Sequence, residues 1–249
     1  MSQTKIFVIN LARRSDRLDR IALDLQSHDL SFERIEAIDA MSDPLVKAYH
    51  RPFFQLLLGK RKYGRGPVAN FLSFQKVWQI MVDENIEQAL ILEDDAKITN
   101  WDERFLNLNI AQHGLDVLRL GAVYNSNTLK NLASVQPEKS IFGRKLVTGQ
   151  LWGNFATIIT LSAAKKFLRH KKFWFPSDDY ERFEKCFGIK FAIINPLIWT
   201  SFESPSDLEL EKTKFNAAQM LSLKIFKPLR RWLFFPVIHS YLRIVSSLR

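Results

Sequence analysis

Short apolar runs alternate with amphipathic stretches along most of the chain, and this alternation limits the fold more than any other feature. Lys5 to Leu11 (KIFVINL) is apolar and β-branched, and the charged segment from Arg13 to Leu25 then sets Leu18, Ile21, Ala22 and Leu25 at helical spacing. Phe32 to Ile38 alternates Phe, Ile and Ile with Glu, Arg and Glu, the pattern of a half-buried strand ending at Asp39. A Gly-rich basic loop over residues 59–67 (GKRKYGRGP) leads into a helix predicted from Val68 to Val82. Ala89 to Leu92, Asp116 to Leu120 and Phe191 to Ile194 read as further strands, Ser162 to Leu168 and Phe215 to Phe226 as further helices. Each helix must bury its apolar stripe against a sheet face, so the expectation is an α/β fold with a mainly parallel central sheet flanked by helices.

Composition removes several function classes. Among 249 residues 47% are apolar and 25% charged, enough for a sizeable core and too apolar for a disordered chain. The single cysteine, Cys186, allows no intrachain disulfide and no Cys-rich zinc site. The opening MSQTKIFVIN lacks the features of a secretory signal, so export by that route is not expected. The apolar run Trp232 to Ile238 is broken by Pro236 and falls far short of the ~20 residues that span a bilayer, which argues against an integral membrane protein.

The formal charge of +10 is unevenly placed: residues 212–249 hold eight Lys or Arg and no acid, leaving only +2 on residues 1–211. The near-neutral main part argues against nucleic acid as a partner. The division expected is therefore a domain over 1–211 followed by a basic amphipathic tail, 212–249, with Trp232, Phe234, Phe235, Ile238 and Tyr241 among its cations. Such a segment suits an anionic membrane surface, where each Lys or Arg adds about 1 kcal/mol. The competing reading is a helix packed on the domain with a solvated basic face.

Three clusters carry chemistry. Ala89 to Leu92 runs straight into Glu93, Asp94 and Asp95, placing consecutive carboxylates at the carboxyl edge of a sheet, where open α/β folds bind ligands. By the period of two, Glu93 and Asp95 share a side, where a divalent cation, Mn²⁺ or Mg²⁺, would offset their repulsion and bridge to a diphosphate. An acidic turn capping the next helix is the plainer alternative. Arg13 and Arg17, four residues apart after the first strand, share a helix face suited to a phosphate, or are that helix's solvated side. Phe175-Pro176-Ser177-Asp178-Asp179-Tyr180 presents two carboxylates after a proline-led turn, one a candidate general base, with a helix N-cap at Ser177 or Asp178 as the alternative. The five histidines form no HxxxH or HExxH pair, and no Gly-x-Ser-x-Gly elbow or Walker loop is present.

The order IFVINLARRSDR, FERIEAIDA, GRGPVANFLSFQKVW, ALILEDDA, GNFATIITLSAAKKFL and PSDDY, with a late Ser206-Asp207-Leu208, resembles glycosyltransferase family 25, the lipooligosaccharide galactosyltransferase family, over about residues 5–207. The family's opening Asn-Leu-x-Arg with a second Arg four residues on is matched by Asn10, Leu11, Arg13 and Arg17. The chain departs at Gly66 to Phe74, where the family's Glu and His are absent and Ser73 is kept. The resemblance implies a GT-A type fold and an inverting transfer of a hexose, galactose from UDP-galactose in β-linkage, onto a lipooligosaccharide or lipopolysaccharide core sugar. It implies Asp95 as the leading metal ligand, and Glu93 as a second ligand or a nucleotide contact. Asn10, Leu11, Arg13, Arg17, Asp39, Ser73, Glu93 and Asp94 then face the nucleotide sugar. Asp178 is the base by its match to the family's Pro-x-Asp, and Asp179 stands in reserve. The partners implied are a UDP-sugar donor and a lipid-linked oligosaccharide acceptor, met on the cytoplasmic face of the inner membrane. The competing class is a non-catalytic scaffold that kept the nucleotide-sugar fold within a membrane-bound glycan assembly complex.

Overall fold

The computed structural model describes residues 4–49, 64–122, 133–134, 140–149, 153–202 and 240. The predicted helix Phe215 to Phe226 and the whole boundary between domain and tail lie outside these residues. The chain opens with β1 (Lys5–Asn10), α1 (Ser15–Gln26), β2 (Glu33–Glu36), α2 (Pro44–Tyr49) and α3 (Arg65–Asp83). There follow β3 (Gln88–Glu93), β4 (Ala96–Ile98), two short 3-10 turns, β5 (Val117–Arg119), β6 (Ala133–Ser134), β7 (Ser140–Ile141) and β8 (Arg144–Thr148). The last described part is β9 (Ala156–Thr160), α4 (Leu161–Phe167), α5 (Tyr180–Phe187), β10 (Phe191–Asn195) and β11 (Trp199–Ser201).

The main sheet has the order β2-β1-β3-β9-β5-β10-β8-β6, with β7 on β8 and a separate β4–β11 pair. β1 lies parallel to both β2 and β3, and β10 parallel to β5. β9 runs antiparallel to its neighbours β3 and β5, and β8 antiparallel to β10. Thus β1, β2, β3, β5 and β10 share one direction, and β9 and β8 oppose it. This is the α/β architecture expected, a mainly parallel central sheet flanked by helices, with two reversed strands that periodicity did not announce. The reversal of β9 matters for function, because its beginning meets the carboxyl ends of β3 and β5 at one edge.

Alternate strand residues face opposite sides, and each side has its own core. Phe7, Ile9, Ile91, Val117 and Ile159 pack against α3, α4 and α5 through Phe71, Trp78, Phe167 and Phe183, with Trp78 stacked on Phe167 at 4.6 Å. Ile6, Val8, Leu90, Leu92, Leu118 and Ile158 pack against Ile21 and Leu25 of α1 and against Phe105 and Trp199. Each such side chain contributes roughly 1.5–3 kcal/mol on burial. α3 begins three residues before the predicted start, taking Gly66 and Pro67 into its first turn, where an N–H has no helical partner and proline is tolerated. Among the described residues no helix is long and apolar enough to cross a membrane.

Candidate active site

The carboxyl edge of the sheet gathers the side chains singled out in the sequence, and two groups of them form on opposite faces. On the α1 face the buried Asn10 ends β1 and donates from Nδ2 to Asp94 Oδ2 at 2.8 Å and to the Arg14 carbonyl at 2.9 Å. Its Oδ1 accepts from Arg34 Nε at 3.1 Å. Arg17, 7% exposed, pairs with the other oxygen of Asp94 at 3.3 Å. Asp94 is therefore committed to pinning the acidic turn onto β1 and α1. The Leu11 carbonyl accepts from the Arg14 N–H at 2.9 Å and closes the turn into α1.

Arg13 and Arg17 do not share a helix face, because α1 starts at Ser15 and leaves Arg13 in the preceding turn. Arg13 is the exposed member and meets Asp39 at 2.8 Å. Burial would raise the Asp39 carboxyl, but the Met41 N–H and the Arg13 guanidinium outweigh it and hold it below its ordinary value. Ser73, buried in α3, donates to the Ala69 carbonyl and accepts from the Ile38 N–H, both at 2.8 Å, and so fixes the segment that carries Asp39.

On the other face stands Glu93. β3 ends there, and Asp94 and Asp95 form the turn into β4, so the strand period does not extend to Asp95. Asn70 of α3 donates to Glu93 Oε1 at 3.2 Å and accepts from Ser177 Oγ at 2.6 Å, joining α3, β3 and the 175–180 turn at one amide. Burial pushes the Glu93 carboxyl up to about 8, with the charges of Asp95, Asp178 and Asp94 adding to it and the Asn70 hydrogen bond opposing. Asp95 is raised as well, by burial first and then by Asp94, against the pull of Arg17 and Arg20. Its Oδ1 is buried without a hydrogen-bond partner.

Among the described residues no three His, Cys, Asp or Glu side chains converge on a ready-made metal cage. One or two carboxylates completed by substrate phosphates is the usual Mg²⁺ arrangement, and a buried Asp95 oxygen with no hydrogen-bond partner fits a cation that arrives with a diphosphate.

The 175–180 turn separates its two acids. Asp178, half-buried, accepts from the Gly153 N–H at 2.8 Å; burial raises its carboxyl, and Arg119 and that N–H work against the rise. Asp179, 5% exposed, is the N-cap of α5: it accepts from the Arg182 N–H at 3.3 Å and pairs with the Arg182 guanidinium at 3.2 Å. The cap falls one residue beyond the positions named from sequence. Tyr180 donates to Asn154 Oδ1 at 3.0 Å, and Thr157 donates to the same oxygen at 2.5 Å. Beneath the turn the neutral His170 stacks on Phe175 at 4.3 Å and accepts from the Trp174 N–H at 3.2 Å, its burial pushing it down to about 3.

Asn70, Arg119, Gly153 and Asn154 were not anticipated as site residues. Arg119 carried a signal, a cation inside the apolar run Asp116 to Leu120; Asn70 and Asn154 carried none.

The profile of glycosyltransferase family 25 (LPS biosynthesis protein) matches residues 3–181. Procollagen galactosyltransferase 2 of Homo sapiens is 28% identical over 151 residues, which is 57% of this chain and 23% of that protein. A glycosyltransferase 25 family member of Aedes aegypti is 27% identical over 194 residues, covering 72% of this chain and 30% of that protein. The human inactive glycosyltransferase 25 family member 3 is 26% identical over 183 residues, 66% of this chain and 28% of that protein. The chain thus spans less than a third of the length of these curated relatives. Among solved structures, a glycosyltransferase involved in the glycosylation of the major capsid of PBCV-1 superposes with a TM-score of 0.42 at 8% identity, covering 90% of this chain and 100% of that one. With the family profile covering most of its length, from before β1 into the start of α5, the chain belongs to glycosyltransferase family 25.

Proposed function

We propose that the protein is an inverting glycosyltransferase that moves galactose from UDP-galactose, in β-linkage, onto a core sugar of a lipooligosaccharide or lipopolysaccharide. The observation that carries the reading is that Asn70, bonded to Glu93 at 3.2 Å and to Ser177 at 2.6 Å, ties the acidic end of β3 to the 175–180 turn that carries Asp178. In the transfer, Asp178 takes the proton of the acceptor hydroxyl, and the oxygen attacks the anomeric carbon opposite the leaving group. The sugar–phosphate bond breaks, and UDP departs with the electron pair. Arg13 and Asp39 meet the nucleotide, while Asn10, Arg17 and Asp94 keep the acidic turn in place beneath it. Asp95 and Glu93 would hold a divalent cation, which supplies charge neutralisation for the departing diphosphate. Galactose as the donor sugar is supported by the names of the relatives; the acceptor rests on the family description alone.

Full-length protein incubated with labelled UDP-galactose, Mn²⁺ and truncated lipooligosaccharide acceptors tests this. Transfer is expected with wild type, with loss in EDTA and in Asp95→Asn, and a fall in kcat of about 10² or more in Asp178→Asn with donor binding kept within a few fold. Donor binding without turnover on any acceptor would favour the scaffold reading, and full activity in EDTA would remove the cation from the account.

A further inference from the structure

Arg119 ends β5 with a charge where the apolar run would otherwise continue, and only 1% of it is exposed. A guanidinium so deep is costly unless well-placed acceptors hold it, so its contacts define its role. It donates from one terminal nitrogen to the Gly153 carbonyl, and its Cζ stands 5.1 Å from the centre of the Tyr180 ring. The N–H of the same Gly153 donates to Asp178 Oδ2 at 2.8 Å. The Tyr180 hydroxyl holds the side chain of the next residue, Asn154, at 3.0 Å. Gly153 itself has a φ of 77°, in the left-handed region where side chains are disfavoured. Gly153 is thus gripped at its carbonyl by a cation on β5 and, through Asn154, by a phenol on α5, while the N–H on its other side donates to the candidate base.

We propose that Arg119 is the positioning residue of the transfer: by clasping the Gly153 peptide and lying on the Tyr180 ring, it fixes the Asp178 carboxylate for its work on the acceptor hydroxyl. This rests on the transferase reading, with Asp178 as base. The charged and titratable groups around Asp178 are Glu93 from β3, Arg119 from β5, and Asp179 and Tyr180 from its own turn and α5. Arg119 is the cation among them whose charge counters the burial of Asp178. A planar guanidinium can grip a carbonyl and cover a ring at once; lysine keeps the charge and loses the plane.

The test uses the full ¹⁵N-labelled chain with Arg119→Gln and Arg119→Lys. The Gly153 amide resonance should follow the ionisation of Asp178, an assignment checked by its loss in Asp178→Asn. In Arg119→Gln the midpoint of that titration should rise by about one pH unit or more, and the Gly153 amide should exchange about tenfold faster. The kcat at pH 6 should fall about tenfold or more and recover in part on the alkaline side, with the donor KM within a few fold. Arg119→Lys should keep the midpoint but not the amide protection or the full kcat. An unchanged Gly153 titration and exchange rate in Arg119→Gln, or a kcat lowered equally at every pH, overturns the proposal. Should Arg119→Gln fail to fold, Arg119→Lys decides by the exchange rate and the split between kcat and KM. A wild type with no turnover but the expected amide behaviour counts against the transferase reading, and leaves the clasp supported.

Discussion

Glu93 keeps its proton up to about pH 8 in the fold, whereas an ordinary glutamate releases it near 4.5. Between those values the folded chain binds the extra proton, so stability falls as pH rises through the window. His170 acts on the acid side: the unfolded chain takes up a proton near 6.5 that the fold refuses until about 3, so stability falls as pH drops through that range. Glu93→Gln carries no charge to bury and keeps a partner for Asn70. Calorimetry in EDTA should therefore show a smaller loss of Tm between about pH 5 and 8 than in wild type, while transfer is lost. Equal slopes in the two proteins would mean that Glu93 ionises normally. A group held at a cost to stability in the absence of ligand is what a binding site requires, and a ligand that brings positive charge would relieve its repulsion from Asp95 as a proton does.

Asp179 illustrates how an element claims a residue that chemistry also suits. As N-cap of α5 it satisfies the Arg182 N–H, and a cap of this kind contributes about 1 kcal/mol. Asp179→Ala should lower Tm by roughly 2–4 °C in a chain of this size and leave transfer within a few fold. Loss of turnover with an unchanged Tm would move the base from Asp178 to Asp179. The sequence showed the acids of this turn but not which one the helix takes, because that depends on where α5 starts. The strands that pack on both faces were legible as apolar runs: β1, β3, β5 and β10 fall within a residue or two of expectation. β9 was not, because ATIIT passes into α4 without punctuation, with Thr160 both ending the strand and capping the helix through a 3.1 Å bond to the Ala163 N–H. β8 is brief and lies between Gly143 and Gly149, so its pattern is too short to separate from a loop. The site was legible where acids follow a strand. It was illegible at Asn70 and Asn154, and Arg119 showed only as a cation inside an apolar run, because each of these residues takes a partner from a segment remote in sequence.

At the scale of the whole molecule, charge and fold divide the chain differently. The Lys and Arg of the basic surplus lie within residues 212–249 and are not among the described residues, and the proposal is that this tail docks the enzyme on an anionic, cytoplasmic membrane face where a lipid-linked acceptor is presented. A chain stopped before Lys224 should keep activity on a short soluble acceptor and lose sedimentation with anionic liposomes. Wild-type binding should weaken only in part at high salt, since attraction is screened over about 8 Å but apolar contacts are not. Equal sedimentation of the truncated chain removes the membrane role; unfolding makes the tail part of the core. The reversed strand β9 bears on how the molecule is made. β3 and β5 precede it and do not pair with each other: each pairs with β9, which fills the gap between them. A growing chain that has reached β5 therefore carries two open strand edges at the centre of its future sheet, and must wait for Ala156–Thr160 to join them. Fragments ending before β9 are expected to scatter light as aggregates, whereas those reaching past β10 remain clear. Asp178 follows β9 in the chain, so only a chain that extends past this seam holds both Glu93 and Asp178.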